Sequence, residues 1–147
     1  MQPAIKNDLV YLLRILESIE KIQIYSNQFT EPEEFFSANE QQNFNATLAL
    51  LLNICEQSSK LSKQLTETYQ QIKWKEIYGY RNRLAHDYTG IDQFITFEII
   101  RNDLPVLKND LTKIISEQLR NKNFDAEELN AARGSEYYRH IHFDEWL

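Results

Sequence analysis

A chain of 147 residues is long enough for one compact domain with a real core and too short for two. With 42% hydrophobic residues and only 3 Gly and 3 Pro, it reads as folded and mostly helical, which excludes a disordered chain. A net charge of −6 argues against a general coat for DNA or RNA, since such proteins carry a positive footprint.

From about Asn7 to Asn27, Leu9, Leu12, Leu13, Leu16 and Ile19 recur at helical spacing, with Arg14, Glu17, Glu20 and Lys21 on the other side. The spacing predicts an amphipathic helix. In "FTEPEEFF", Thr30 followed by Pro32 and Glu33 has the form of a capping box, so a short helix or ordered connector is expected. From Ala38 to Tyr78 no Gly or Pro occurs, and a break is expected near "EQSSKLS", where serines weaken one helix and can cap the next. Cys55, the single cysteine, lies in the apolar run "LALLLNIC" and reads as a small buried hydrophobe.

A further helix is expected from Trp74 to His86 or Tyr88, ended by "TGID", where Gly90 supplies a turn and Asp92 can cap the next segment. The apolar face then runs from Phe94 to Ile115, interrupted by Pro105, whose missing N–H predicts a kink or restart near "NDLP". Beyond it, Gly134 separates a short helix (Asp125 to Arg133) from an aromatic, charged tail. The expected architecture is all-α: an antiparallel bundle of four or five helices over residues 1–119, with a C-terminal appendage over 120–147 that packs on the bundle or on a partner. The N-terminus lacks a basic region with a cleavage site, and no apolar run approaches the roughly 18 residues of a membrane span, so a cytoplasmic protein without membrane contact is expected.

Chemistry concentrates in "YGYRNRLAHDYTG", residues 78 to 90. The window 73 to 88 sets four cations against Glu76 and Asp87, a net of +2 that leaves −8 for the rest of a −6 chain. A positive spot on an acidic body suits one or two phosphates, although a helix laced with internal ion pairs has the same composition. Cutting RNA without a metal needs a proton acceptor for the 2′-hydroxyl, a donor for the leaving 5′-oxygen and a cation for the phosphorane. Histidine, which titrates near ~6.5, and the forked guanidinium of arginine supply these, so His86 and Arg81 are the right pair of chemistries. Five positions along an α-helix rotate by about 140° beyond one turn, so the two do not share a face, whereas Tyr78, Asn82 and His86 do. Either the helix ends before His86, or two copies of it face each other in a dimer. Gly79, costly inside a helix, is consistent with such close approach.

The string "RNRLAHDY" resembles the Arg-x4-His-x-Tyr motif of HepT-type toxins of the HEPN superfamily, and the similarity extends over roughly residues 7 to 119. The resemblance implies a helical bundle that dimerises through the motif helix and acts as a metal-independent endoribonuclease within a toxin–antitoxin pair. It makes Arg81 and His86 the catalytic pair. Asn82 would orient the histidine or the phosphate, Asp87 is a variable position, and Tyr88 is the tyrosine to which an MntA-type minimal nucleotidyltransferase antitoxin adds AMP. Added AMP phosphates beside Arg81 would occupy the anion site and repel RNA. Arg83 reads as a salt-bridge partner or a substrate-phosphate contact. The resemblance implies a prokaryotic cytoplasmic protein, an RNA substrate and no cofactor or resident metal. The other reading is a non-catalytic module of the same fold that binds a nucleotide or the nucleotidyltransferase as a scaffold. In the tail, "HIHFDE" puts His140 and His142 two apart, where with Asp144 or Glu145 they would bind a metal on a strand. Docking of Tyr137, Tyr138, Phe143 and Trp146 against the bundle or a partner is the favoured reading.

Overall fold

The periodic segments become helices close to where their punctuation places them. The computed structural model describes residues 3–86 and 90–147. A single turn, α1 (Pro3–Lys6), leads into α2 (Leu9–Ser26) and α3 (Pro32–Ser59), followed by a short α4 (Lys63–Thr68). Then come α5 (Trp74–His86), α6 (Gln93–Glu98), α7 (Leu104–Arg120) and α8 (Ala126–Arg133). Two 3-10 turns, Glu136–Tyr138 and Phe143–Glu145, finish the chain. The fold is an all-α bundle.

Helix α2 is its axis. Asn53 donates from Nδ2 to Ser18 Oγ, and Asn43 from Nδ2 to the Tyr25 carbonyl, a register that runs α3 antiparallel to α2. Lys108 meets Glu20 and Arg101 meets Ser26, which makes α7 antiparallel to α2 on another side. Helix α5 lies against α3. Leu9, Leu12, Ile15, Leu16, Ile19 and Ile22 are fully enclosed. At about 25 cal/mol per Å² of apolar surface, burial of this kind is the main force that closes the bundle. Glu17 and Glu20, expected on a polar outer face of α2, are each only 5% exposed, because the tail covers one and α7 the other. Helical spacing marks where a residue points on its own helix and does not say which faces later elements cover.

The junctions obey local chemistry. Ser62 caps α4, its Oγ accepting from Leu65 N–H, which places the break in "EQSSKLS". Asp92 caps α6 through Phe94 and Ile95, and Asp125 caps α8. Thr30 does not cap α3: Glu31 is the boundary residue, with Pro32 in the first turn and no side-chain cap. Within α3 the chain breaks at Ala38, and Asn39, Glu40 and Gln41 take left-handed φ values of 52°, 59° and 66° before the helix resumes. The restart at Pro105 is a π turn, Ile99–Asp103, in which Leu104 N–H reaches back to the Ile99 carbonyl. Widening the turn here fits a proline that has no N–H and whose ring crowds the preceding turn. No described helix is long and apolar enough to cross a membrane.

Candidate active site on α5

Helix α5 is anchored at its start and bare along its outer side. Lys73 C=O accepts from Glu76 and Ile77 N–H, and the Trp74 indole N–H donates to the Tyr69 carbonyl at 3.0 Å. Leu84 is its one buried residue, with Trp74, Ile77 and Tyr80 half-buried beside it. Those positions, three or four apart, form the stripe that lies on the bundle. The opposite stripe, Tyr78, Asn82 and His86 with Gly79 and Arg83, faces solvent, and Tyr78 is 56% exposed. A Cβ built on Gly79 meets nothing within 4 Å.

Arg81 lies on the border of the two stripes. Its Nε is 3.7 Å from Glu56 Oε1 on α3, and both side chains are a little over two-fifths exposed. At that distance and exposure the pair is worth about 0–1 kcal/mol, enough to aim the guanidinium and weak enough for a phosphate to displace the carboxylate. Asn82 and His86 share the solvent face one turn apart, as the spacing requires. Arg81 is turned away from them toward α3, so one copy of the helix does not present Arg81 and His86 side by side. Arg83 projects outward with its guanidinium 6.0 Å from the Tyr80 ring centroid. Asp87 and Tyr88, and with them the expected site of modification, lie outside the described residues.

Glu56 is the contact that motif reading missed. It stands 25 positions before Arg81 on another helix, and nothing in "NICEQ" marks it as an arginine partner. Its neighbour Cys55 is 3% exposed, with the thiol pushed up to about 11 by burial and by the Glu56 charge, against a smaller pull from Arg81. Such a thiol stays protonated at neutral pH and packs as a small apolar group.

The tail histidines part company. His140 Nδ1 sits 2.6 Å from Glu17 Oε2 and its backbone N–H donates to Oε1, while His142 Nε2 is 3.6 Å from Glu20. Each ring faces its own carboxylate on α2, and among the described residues no group of three or more His, Cys, Asp or Glu is placed to hold a metal. Of the tail aromatics, Phe143 is buried, Tyr138 and Trp146 pack partly against the core, and Tyr137 is 84% exposed.

An all-α bundle whose exposed helix α5 carries Arg81, Asn82, Arg83 and His86 belongs to the class of HEPN-type proteins. The sequence model of the family described as "Ribonuclease HepT-like" matches residues 15–114, and the chain belongs to that family. A protein of Methanocaldococcus jannaschii named "Gamma-glutamylcyclotransferase and putative RNase" is 36% identical over 118 residues, which are 80% of this chain and 52% of the relative. The chain therefore spans about half the length of that relative. A second protein of the same organism, named "Putative RNase", is 32% identical over 76% of this chain and 91% of its own length. A "Probable ribonuclease HepT" of Thermococcus cleftensis is 28% identical over 71% of this chain and 92% of its own. No solved structure matches the chain.

Proposed function

We propose that the chain is the ribonuclease toxin of a toxin–antitoxin pair, acting in the prokaryotic cytoplasm as a homodimer joined through α5. The observation that carries this reading is the bare stripe of α5, where Asn82, His86 and the unobstructed Gly79 lie without a covering element and Arg81 waits at the edge. A second copy laid across Gly79 brings one protomer's Arg81 toward the other's His86, which answers the 140° separation within one helix. RNA then binds with its phosphate on Arg81, assisted by Arg83 and positioned by Asn82. Histidine takes the 2′-hydroxyl proton as that oxygen attacks phosphorus. The bond to the 5′-oxygen breaks, the leaving oxygen takes up a proton, and the products are a 2′,3′-cyclic phosphate and a 5′-hydroxyl. No step requires a metal. Adenylylation of Tyr88 by a nucleotidyltransferase antitoxin joins the tyrosine oxygen to the α-phosphate of ATP, releases pyrophosphate and places negative charge beside the arginines, which shuts RNA out.

The test is cleavage of RNA by the purified chain in the presence of a chelator, with the ends of the products analysed. Cyclic phosphate ends and a loss of at least about a hundredfold in Arg81→Ala and in His86→Ala are expected. Variants that cut as the wild type does would overturn the assignment. The Arg81–Glu56 pair is the one observation on the side of a non-catalytic scaffold, since it gives Arg81 a partner without RNA. A scaffold predicts no cleavage by the wild type and a change only in binding to the nucleotidyltransferase. Mass spectrometry after incubation with ATP and that enzyme tests the switch, a gain of AMP on the Tyr88 peptide being the expected result.

A further inference from the structure

A cleft of about 300 Å³ opens between α2, α3 and the first 3-10 turn of the tail, and none of its lining residues belongs to α5. That volume lies at the small end of ligand-sized sites, which run from about 300 to 1,000 Å³. Arg14 and Lys21 line it seven positions apart on one face of α2, so both cations serve the same opening. Arg14 is exposed, and among the described residues no ion pair engages it. Lys21 Nζ is 3.8 Å from the Glu17 carboxylate, but that carboxylate also takes the backbone N–H of His140 and faces its ring, so its charge is directed into the fold. The mouth is locally positive on a chain whose net charge is −6.

The tail supplies the other half. Tyr137, at 84%, is the most exposed of the described large apolar side chains, yet its backbone is pinned by an N–H bond to Ser135 Oγ, and Tyr138 beside it packs against the core. Asn53, tied to Ser18 and accepting from Gln57 Nε2, forms a polar wall. A bare ring on an anchored backbone, lining the same cleft as two cations, suits single-stranded nucleic acid, by stacking a base and neutralising its phosphate. Tyr137 lies beyond the residues the family model matches, so the tail adds this contact.

We propose that this cleft is an accessory RNA site that holds one nucleotide of a single-stranded substrate, its phosphate between Arg14 and Lys21 and its base against Tyr137. The identity of the strand as substrate rests on the ribonuclease reading; the binding does not. The test uses the full chain and a 2′-O-methyl oligoribonucleotide of about ten nucleotides, which lacks the attacking hydroxyl, with AMP as a second probe. Arg14→Glu and Tyr137→Ala are each expected to weaken oligonucleotide binding roughly tenfold, and Arg14→Glu to flatten its salt dependence by about one phosphate contact. Both side chains are exposed, so circular dichroism should show unchanged folding. Wild-type affinity in both variants would overturn the site, and AMP binding without oligonucleotide binding would overturn its assignment to RNA. Wild-type RNA cleavage is measured alongside. Cleavage with unaltered binding in the variants sinks the cleft alone, while binding lost in the variants without any cleavage by the wild type supports the cleft and sinks the ribonuclease.

Discussion

Glu56 decides what Arg81 meets before any substrate arrives. Because the pair is half-exposed and 3.7 Å apart, it competes with a phosphate only weakly. Glu56→Gln is expected to tighten RNA binding by about two- to fivefold in a filter-binding or anisotropy titration, and weaker binding would mean that Glu56 positions the arginine instead of competing for it. Asp8 shows the opposite economy of charge. It is 1% exposed, its carboxylate takes the Ser62 N–H at 2.8 Å and hydroxyl at 2.6 Å, and burial raises its pKa above 3.8 more than those bonds lower it. A folded value above the unfolded one means that the folded state holds the proton more tightly. Its favourable contribution is complete below 3.8 and is lost as pH climbs through the raised value. Denaturation of wild type and Asp8→Asn at about pH 4 and about pH 7 should therefore show the wild type losing ground to the variant at the higher pH. A gap that widens in favour of the wild type would reverse the sign.

Two features belong to whole elements. Gly79 weakens α5, and in the single chain nothing fills the space beside it. Gly79→Ala is expected to stabilise the single chain by about 0.5–1 kcal/mol in denaturant titrations, while Gly79→Leu, with a side chain for which the proposed α5 dimer has no room, should shift that proposed dimer toward monomer in sedimentation. A dimer indifferent to Gly79→Leu uses another face. Arg101, in the π turn, donates to the carbonyls of Ser26 and Phe29 and lies 4.8 Å from the Phe97 ring centroid. It thus satisfies the C-terminal end of α2 with a cation where the helix dipole favours one. Arg101→Ala should cost about 1.5–3 kcal/mol by chemical denaturation, and a neutral result would show that water satisfies those carbonyls equally well.

At the scale of the molecule, the tail closes over the central helix. Phe124, Leu129, Ile141 and Phe143 are each less than a tenth exposed, and His140 joins Glu17 across 123 positions of sequence. Truncation after Arg120 is expected to lower stability by at least about 2 kcal/mol, since it bares apolar surface and strips Glu17 of its inward partner. Unchanged melting of the truncated chain would make the tail an independent appendage.

What the sequence determined by itself was local. Helical periodicity placed the apolar stripes, Ser62, Asp92 and Asp125 marked starts, Pro105 marked the restart, and the Arg–Asn–Arg–His motif pointed to α5, because caps, turns and faces depend on residues within a few positions of one another. Thr30 failed as a cap although its pattern was right, since a side chain makes that bond only when the backbone enters the helix at that residue. Only the tertiary structure decided that Glu17 and Glu20 are inside, that His140 and His142 answer separate carboxylates, and that Glu56 meets Arg81. Those contacts arise when helices far apart in the chain pack together, and a pairing between distant residues leaves no periodic trace in either segment.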